Sequence, residues 1–481
     1  MLRIFLLALV VLALVVVVRT ALYAPAAVEV TAPGESIDID EAQVLDRLGQ
    51  AIGFATISRQ PPAPLDAEAF EGFLGWLEAT YPRVFQSLEV RRVGGYSLLL
   101  TWRGQSAAAD PVLLAAHYDV VPVVPGSESA WTHPPFAGRL ADGYVWGRGA
   151  LDNKNAVVAL MESVDWLLAR GETPARTVYL SFGHDEEVGG ERGAAAVVEH
   201  LRDAGVRLAW SLDEGSFVFR DMFPGVDVPI ATINIAEKGS VNMRIVASAA
   251  GGHSSMPPQQ TATGRLARAL VALEDNPLPG GLEGVAADSF DAIAPHMPLL
   301  PRMMFANRWL FGPVVEGQLE SLPFANAMMR TTTAPTMLSA SPKVNVLPIE
   351  AVATVNFRVH PRDKVADVVN YVEDLVAGEH VRVEASGGSE ASAVADPDSA
   401  GFRLLADVVR REFPDAVVAP GLLVAATDTR HYGQIAEDAL RFNPMVVTEA
   451  EVEGFHGTNE RISAAGMVQG VRTYIRLLRE L

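Results

Sequence analysis

The chain has 481 residues, enough for two or three domains that each bury a core of their own. Hydrophobic residues make up 49% and charged residues 20%, and the net charge of −20 excludes nucleic acid as a partner, since phosphate binding needs a basic face. There is no cysteine, which removes disulfides, thiolate metal ligands and a cysteine nucleophile together.

Ile4 to Val18 is an unbroken apolar run between Arg3 and Arg19. As a helix it spans about 22 Å at 1.5 Å per residue, short of a hydrocarbon core of roughly 30 Å. That length suits the apolar region of an export signal, with Ala24-Pro25-Ala26 as a small-residue cleavage site. With Thr20 to Ala27 added and Arg19 snorkelling, the same stretch suits a single-pass anchor. Residues 1–22 are therefore a signal or anchor segment, and the protein is expected outside the cytoplasm, secreted or membrane-tethered. Residues 20–40 read as a polar linker.

Two amphipathic helix patterns lie between Glu41 and Tyr81, broken by Gln60-Pro61-Pro62-Ala63-Pro64. Leu88 to Trp102 reads as a strand pair turning at Gly94-Gly95. Val112 to Ala116 is an apolar run that ends in His117-Tyr118-Asp119. The turn Trp146-Gly147-Arg148-Gly149-Ala150-Leu151-Asp152-Asn153-Lys154 then opens a helix, and Thr177 to Phe182 ends in His184-Asp185-Glu186-Glu187-Val188-Gly189-Gly190. Apolar run, helix, apolar run is the pattern of a parallel βαβ unit. A third run, Leu208 to Leu212, delivers Asp213-Glu214-Gly215. The carboxyl ends of parallel strands border one crevice, so His117, Asp152, Glu186, Glu187 and Glu214 are expected to converge there.

The pattern changes near Ala236. Val241 to Ala247 and Val352 to Val359 alternate as half-exposed antiparallel strands do, with helices at 261–273 and 364–376 and a strand at 381–385. Residues 277–343, rich in Pro and Met, read as irregular. From Phe402 the parallel-sheet character returns, with a strand near Phe442 to Val447 and a closing helix from a Ser463 N-cap. The expected architecture is α/β: a catalytic domain with a mostly parallel sheet over 41–237 and 397–481, and an inserted α+β lid or dimerisation domain over 238–386.

A carboxylate two residues after His117, Asp119, can accept the second ring N–H and fix the tautomer. Gly147-x-Gly149 resembles half of a dinucleotide fingerprint, but Asp152 stands where the third glycine belongs, which rejects a Rossmann site. Glu186 and Glu187 follow an apolar strand, where their mutual repulsion needs an offset. A metal offsets it for one and leaves the other as a base toward water. His456 follows another strand, and one aspartate, two glutamates and two histidines suit zinc. No G-x-S-x-G elbow exists, which argues against a serine hydrolase.

Together, His117-x-Asp119, Asp152-Asn153-Lys154, Glu186-Glu187-x-Gly189-Gly190, Asp213-Glu214-Gly215, Gly252-His253-Ser254 and His456 resemble the aminoacylase and carboxypeptidase family of co-catalytic zinc hydrolases. Val344-Asn345-Val346-Leu347-Pro348, Val355 to Pro361 and Thr427-Asp428-Thr429-Arg430 resemble its carboxypeptidase S and N-fatty-acyl-amino acid hydrolase/synthase branch. The resemblance implies two Zn²⁺ bridged by Asp152, with His117 and Glu214 on one and Glu187 and His456 on the other, a general base Glu186 and an orienting Asp119. It also implies a cis peptide after Asp152 and a His253 that donates to the oxyanion, often across a homodimer. Asp213 stays open beside Glu214 as a ligand. Asn345, Arg358 and Arg430 are the candidate substrate contacts, the arginines because their planar fork grips a free carboxylate. Met297, Met303, Met304, Phe305, Trp309, Leu310 and Phe311 either wall an acyl pocket or belong to core. The expected activity is hydrolysis, by metal-activated water, of N-acyl amino acids or of C-terminal residues of short peptides. A dipeptidase or other deacylase of the same family is the alternative, and a non-catalytic metal-binding protein of the same fold the competing class.

Overall fold

A computed structural model describes residues 1–25, 35–60, 63–106, 108–223 and 225–481. Its centre is a ten-stranded mixed sheet. Val178–Gly183, Val112–His117, Leu208–Asp213 and Ala436–Arg441 run parallel side by side in that order. Val112–His117 is buried on both faces: Leu114 and Ala116 join the larger core, while Leu113 and Ala115 face the helix Ala194–Asp203. This double burial is why the strand reads as a continuous apolar run instead of an alternation. The helix Lys154–Leu168 covers the first face and packs against the closing helix Ala464–Glu480.

Outside this centre the pairing is mixed, parallel between Val417–Leu423 and Ile230–Glu237 and antiparallel at the edge beside Val178–Gly183. Glu89–Val93 pairs with Ser97–Trp102 through a turn in which Gly94 has φ +60 and Gly95 φ +101. A Cβ on Gly94 would lie 1.6 Å from the Arg192 carbonyl oxygen, so both the backbone angle and the space require glycine there. The strand expected near 442–447 is two strands, Ala436–Arg441 and Val446–Thr448. Between them Phe442 N–H donates to Asp213 O and Asn443 N–H to Ser216 O, and Pro444 has no N–H to continue a ladder.

A separate antiparallel sheet is ordered Thr332–Ser339, Glu350–Val359, Gly239–Ser248, Val381–Ser389. Alternate residues of Glu350–Val359 are buried, and the helices Ala262–Asp275 and Val365–Val376 cover that face to close a core of its own. The segment expected to be irregular holds four helices instead: Gly284–Ile293, Leu299–Ala306, Arg308–Glu320 and Pro323–Met329. Their periodicity is hidden because prolines start or interrupt them, as Pro323 and Pro313 do, and apolar residues occupy both faces. The N-terminal run is helical from Leu2 to Leu22, longer than the apolar core read from sequence and consuming the first residues of the supposed linker. Ala26 of the proposed cleavage site, residues 26–34 of that linker, and Pro61 and Pro62 of the helix break lie outside the described residues.

Candidate metal centre

Three strand ends and two loops meet at one point. His117 closes its strand and Asp119 follows, both buried. His117 Nδ1 lies 3.0 Å from the backbone oxygen of Asp119 and 3.3 Å from its carboxylate. The backbone carbonyl is thus the nearer partner in fixing the tautomer. The Asp119 carboxylate instead accepts the backbone N–H of Glu186 and of Glu187, each at 3.2 Å, and so seats the turn that carries both glutamates.

His117 Nε2 lies 2.9 Å from Asp152 Oδ1 and 3.1 Å from Glu214 Oε1. The second oxygen of Asp152, Oδ2, lies 2.7 Å from His456 Nε2, which is 3.4 Å from Glu187 Oε2. Asp152 therefore spans two imidazoles, one with each oxygen. Two groups have ligand atoms within 4.8 Å of one another: His117 with Glu186 and Glu214, and His117 with Asp152 and Glu187. Glu186 comes within 4.0 Å of His117 Nε2, as near as a candidate ligand. Of the Asp213–Glu214 pair, Glu214 faces His117, whereas Asp213 accepts from Glu214 N–H and from the Thr429 hydroxyl. The Asp152–Asn153 peptide is cis.

The electrostatics are those of crowded negative charge. Burial, reinforced by the Asp152 charge, pushes Glu214 up to about 8 and Glu187 up to about 7. Burial drives Glu186 well above the usual carboxylate range, with Glu214, Asp428 and Glu187 adding to it. Burial opposes charge on His117, but Glu214 and the contacts with Asp119 and Asp152 outweigh it and hold the imidazole well above its ordinary value. Hydrogen bonds to Asp152 and Glu187 raise His456 to about 10. Imidazole nitrogens and carboxylates crowded on one point are the donor set that a divalent cation neutralises in place of protons, so the residues present fit a metal.

Sequence reading passed over Glu460, which organises the centre. Its Oε1 accepts the backbone N–H of Gly149, Leu151 and Asp152 at 3.0, 2.9 and 3.2 Å, and its Oε2 accepts from Arg148 Nη1 at 2.5 Å. Arg148 Nη2 in turn donates to the carbonyls of His456 and Gly457. One buried ion pair thus joins the Asp152 turn to the His456 loop. The only sequence signal was a charged residue inside the glycine-bearing stretch Gly454 to Glu460.

A cavity of about 780 Å³ opens over this point. Asp152, Glu186, Glu187, Glu214 and His456 form its floor, and both Arg358 and Arg430 line it. Arg430 Nη2 donates to Gly189 O at 2.7 Å. The apolar wall comes from Phe217, Leu423, Val424, Val452 and Phe455. None of the Met-rich residues from 297 to 311 lines it. Phe305 stacks on Phe290 at 5.8 Å in the core beneath, so the pocket-wall reading of that segment is corrected. His253 and Asn345 also stay apart from the cavity. They lie exposed beside each other where the short strands Gly252–His253 and Val346–Leu347 pair antiparallel; there Ser254 N–H donates to Asn345 O and His253 Nδ1 meets the Ser255 hydroxyl at 2.8 Å.

Residues 113–480 match the description of Peptidase family M20/M25/M40. The chain is 38% identical over 446 residues to a probable carboxypeptidase S-like protein of Dictyostelium discoideum, covering 92% of this chain and 85% of the relative. It is 37% identical over 484 residues to an N-fatty-acyl-amino acid synthase/hydrolase of Xenopus tropicalis, covering 99% and 94%. Its fold resembles an M20 family metallo-carboxypeptidase from Sulfolobus solfataricus, with TM-score 0.65, 18% identity and 92% and 99% coverage. Human carnosine dipeptidase 1 has TM-score 0.64, 16% identity and 92% and 96% coverage. The match over most of the chain, set on a cavity floored by histidines and carboxylates, makes this protein a metallohydrolase of Peptidase family M20/M25/M40.

Proposed function

We propose that the chain hydrolyses the amide bond of N-acyl amino acids, or of C-terminal residues of short peptides, at a centre of two Zn²⁺ bridged by Asp152. The observation that carries this reading is the posture of Asp152, whose two oxygens face His117 and His456 with Glu214 and Glu187 beside them. His117 and Glu214 would hold one ion, Glu187 and His456 the other. The ions, when bound, supply Lewis-acid polarisation of the scissile carbonyl and offset the carboxylate charge.

Glu186 is the proton carrier of this proposal. Its carboxylate lies at the cavity floor and takes a proton from the water that attacks the amide carbon. As the C–N bond breaks, Glu186 returns that proton to the departing nitrogen. Asp119 holds Glu186 in place through the backbone of the turn. Arg358 and Arg430 grip the α-carboxylate from the cavity walls, and the apolar wall accepts the acyl chain or side chain. His253 and Asn345, exposed at the separate pair of short strands Gly252–His253 and Val346–Leu347, reach the site of a second copy, where His253 donates to the developing oxyanion. In this reading the unit spanning 238–386 serves as a lid and dimerisation domain. The apolar helix Leu2–Leu22, long and apolar enough to cross a membrane, supports a location outside the cytoplasm, tethered or released.

Turnover of N-acyl amino acids and peptides by zinc-loaded protein, each substrate paired with its C-terminal amide, tests the substrate class. Cleavage of the free acids and a loss of at least about a hundredfold on amidation is the expected result, since two half-buried guanidinium groups lose their anionic partner. Equal cleavage of both would dismiss the carboxylate clamp.

A further inference from the structure

The layer between Pro298 and Phe324 carries its apolar residues outward. Leu299, Leu300, Trp309, Val314, Leu322 and Phe324 are each more than half exposed. Of the four charged residues of this layer, Arg308 pairs with Asp291 at 2.6 Å and Glu320 with Arg330, while Arg302 and Glu316 are half-buried. Large apolar residues exposed together on one layer mark a contact surface.

The N-terminal helix is seated on this same layer. Val16 and Thr20 are buried, and the fully buried Asn307 donates through Nδ2 to Val16 O at 3.3 Å and Thr20 Oγ1 at 3.2 Å. Arg19 Nε donates to Ala306 O at 3.1 Å, and Tyr23 hydroxyl to Asp291 at 3.0 Å. A leader destined for removal has no use for a buried amide fitted to its backbone. The remainder, Leu2 to Val11, stands wholly exposed and measures about 15 Å at 1.5 Å per residue. That is half of a hydrocarbon core of roughly 30 Å. The packed half of the helix, whose outer face keeps Leu14, Val15, Val17 and Val18 exposed, has to supply the rest. It brings the helices packed against it into the bilayer.

We propose that Leu2–Leu22 is a retained anchor and that the 298–324 layer is a collar that enters the lipid bilayer beside it. The occupant of the apolar face is acyl chain and not headgroup, because the one exposed charge of the layer, Glu320, is paired with Arg330 and the net charge of −20 gives no attraction to anionic lipid. Trp309 stands where an indole meets the interface. Nothing in this inference depends on the hydrolase reading.

Trp309 is the exposed one of seven tryptophans, so it reports on the collar alone. The full chain is reconstituted into neutral phosphatidylcholine vesicles that contain lipid brominated along the acyl chain. Emission is expected to fall by the share of one tryptophan in seven, equally in high and low salt, and W309F is expected to abolish that fall. The double variant L299E/L300E is expected to lose the quench too, while it floats with the vesicles and cleaves a soluble N-acyl amino acid as the parent does. Three results overturn the proposal. One is a vesicle-bound wild type no more quenched than W309F. A second is a mature N-terminus beyond residue 22. The third is efficient disulfide pairing of L299C, the sole cysteine of that variant, between two copies in the vesicle, which makes the face a protein interface.

Discussion

Glu460→Gln keeps the size of a side chain that no solvent reaches and removes its charge. Glu460 is an acceptor at every contact, with three backbone N–H groups on Oε1 and Arg148 on Oε2. Glutamine has one acceptor and one donor end. If its oxygen takes the Oε1 position, the amide N–H faces the Arg148 guanidinium; if the oxygen faces Arg148, the amide confronts three donors. Either orientation leaves a buried cation without its anion, a change that costs about 3–5 kcal/mol. At about 1.4 kcal/mol per tenfold, local opening of this turn becomes a hundredfold or more easier. Hydrogen exchange followed on peptides covering residues 147–153 reads this directly. Protection there is expected to fall at least about a hundredfold, with peptides from the sheet Gly239–Ser248 unchanged. Protection within threefold of the parent would refute the claim that this carboxylate organises the Asp152 turn.

Glu186→Gln should lower kcat by at least about a hundredfold with metal content near that of the parent, measured by turnover and elemental analysis of one preparation. Glu187→Gln should lose metal as well as turnover, because it removes a group that approaches His456. His253→Ala should cost kcat far more than metal content or melting temperature. Mixed with Glu186→Gln, it should regain part of the activity if His253 serves a second copy, and unchanged kcat in His253→Ala alone would leave His253 structural.

Much of the centre was legible because its residues end apolar runs. Val112 to Ala116 and Leu208 to Leu212 are buried on both faces, and that burial leaves the same mark in sequence as in space. His117, Asp152, Glu186, Glu187, Glu214 and His456 lie together around one cavity floor for the same reason. Glu460 was not legible, since its partners are backbone N–H groups some three hundred residues away and backbone leaves no trace in composition. The helices between 284 and 329 escaped because one face is buried against the body and the other is apolar as well, so no polar face sets a period. Arg358 and Arg430 reach the cavity, whereas Asn345 lies exposed beside His253 at a pair of short strands, a separation that motif order along the chain does not encode.

The central claim is a two-metal centre bridged by Asp152, and metal stoichiometry tests it most directly. Elemental analysis of purified full-length protein, together with amide turnover before and after chelation, should give two zinc ions per chain and activity that chelation abolishes and zinc restores. Asp152→Asn should bind at most one ion and be inactive. A parent chain that carries a single ion at full activity, or that still turns over after complete chelation, would contradict the account.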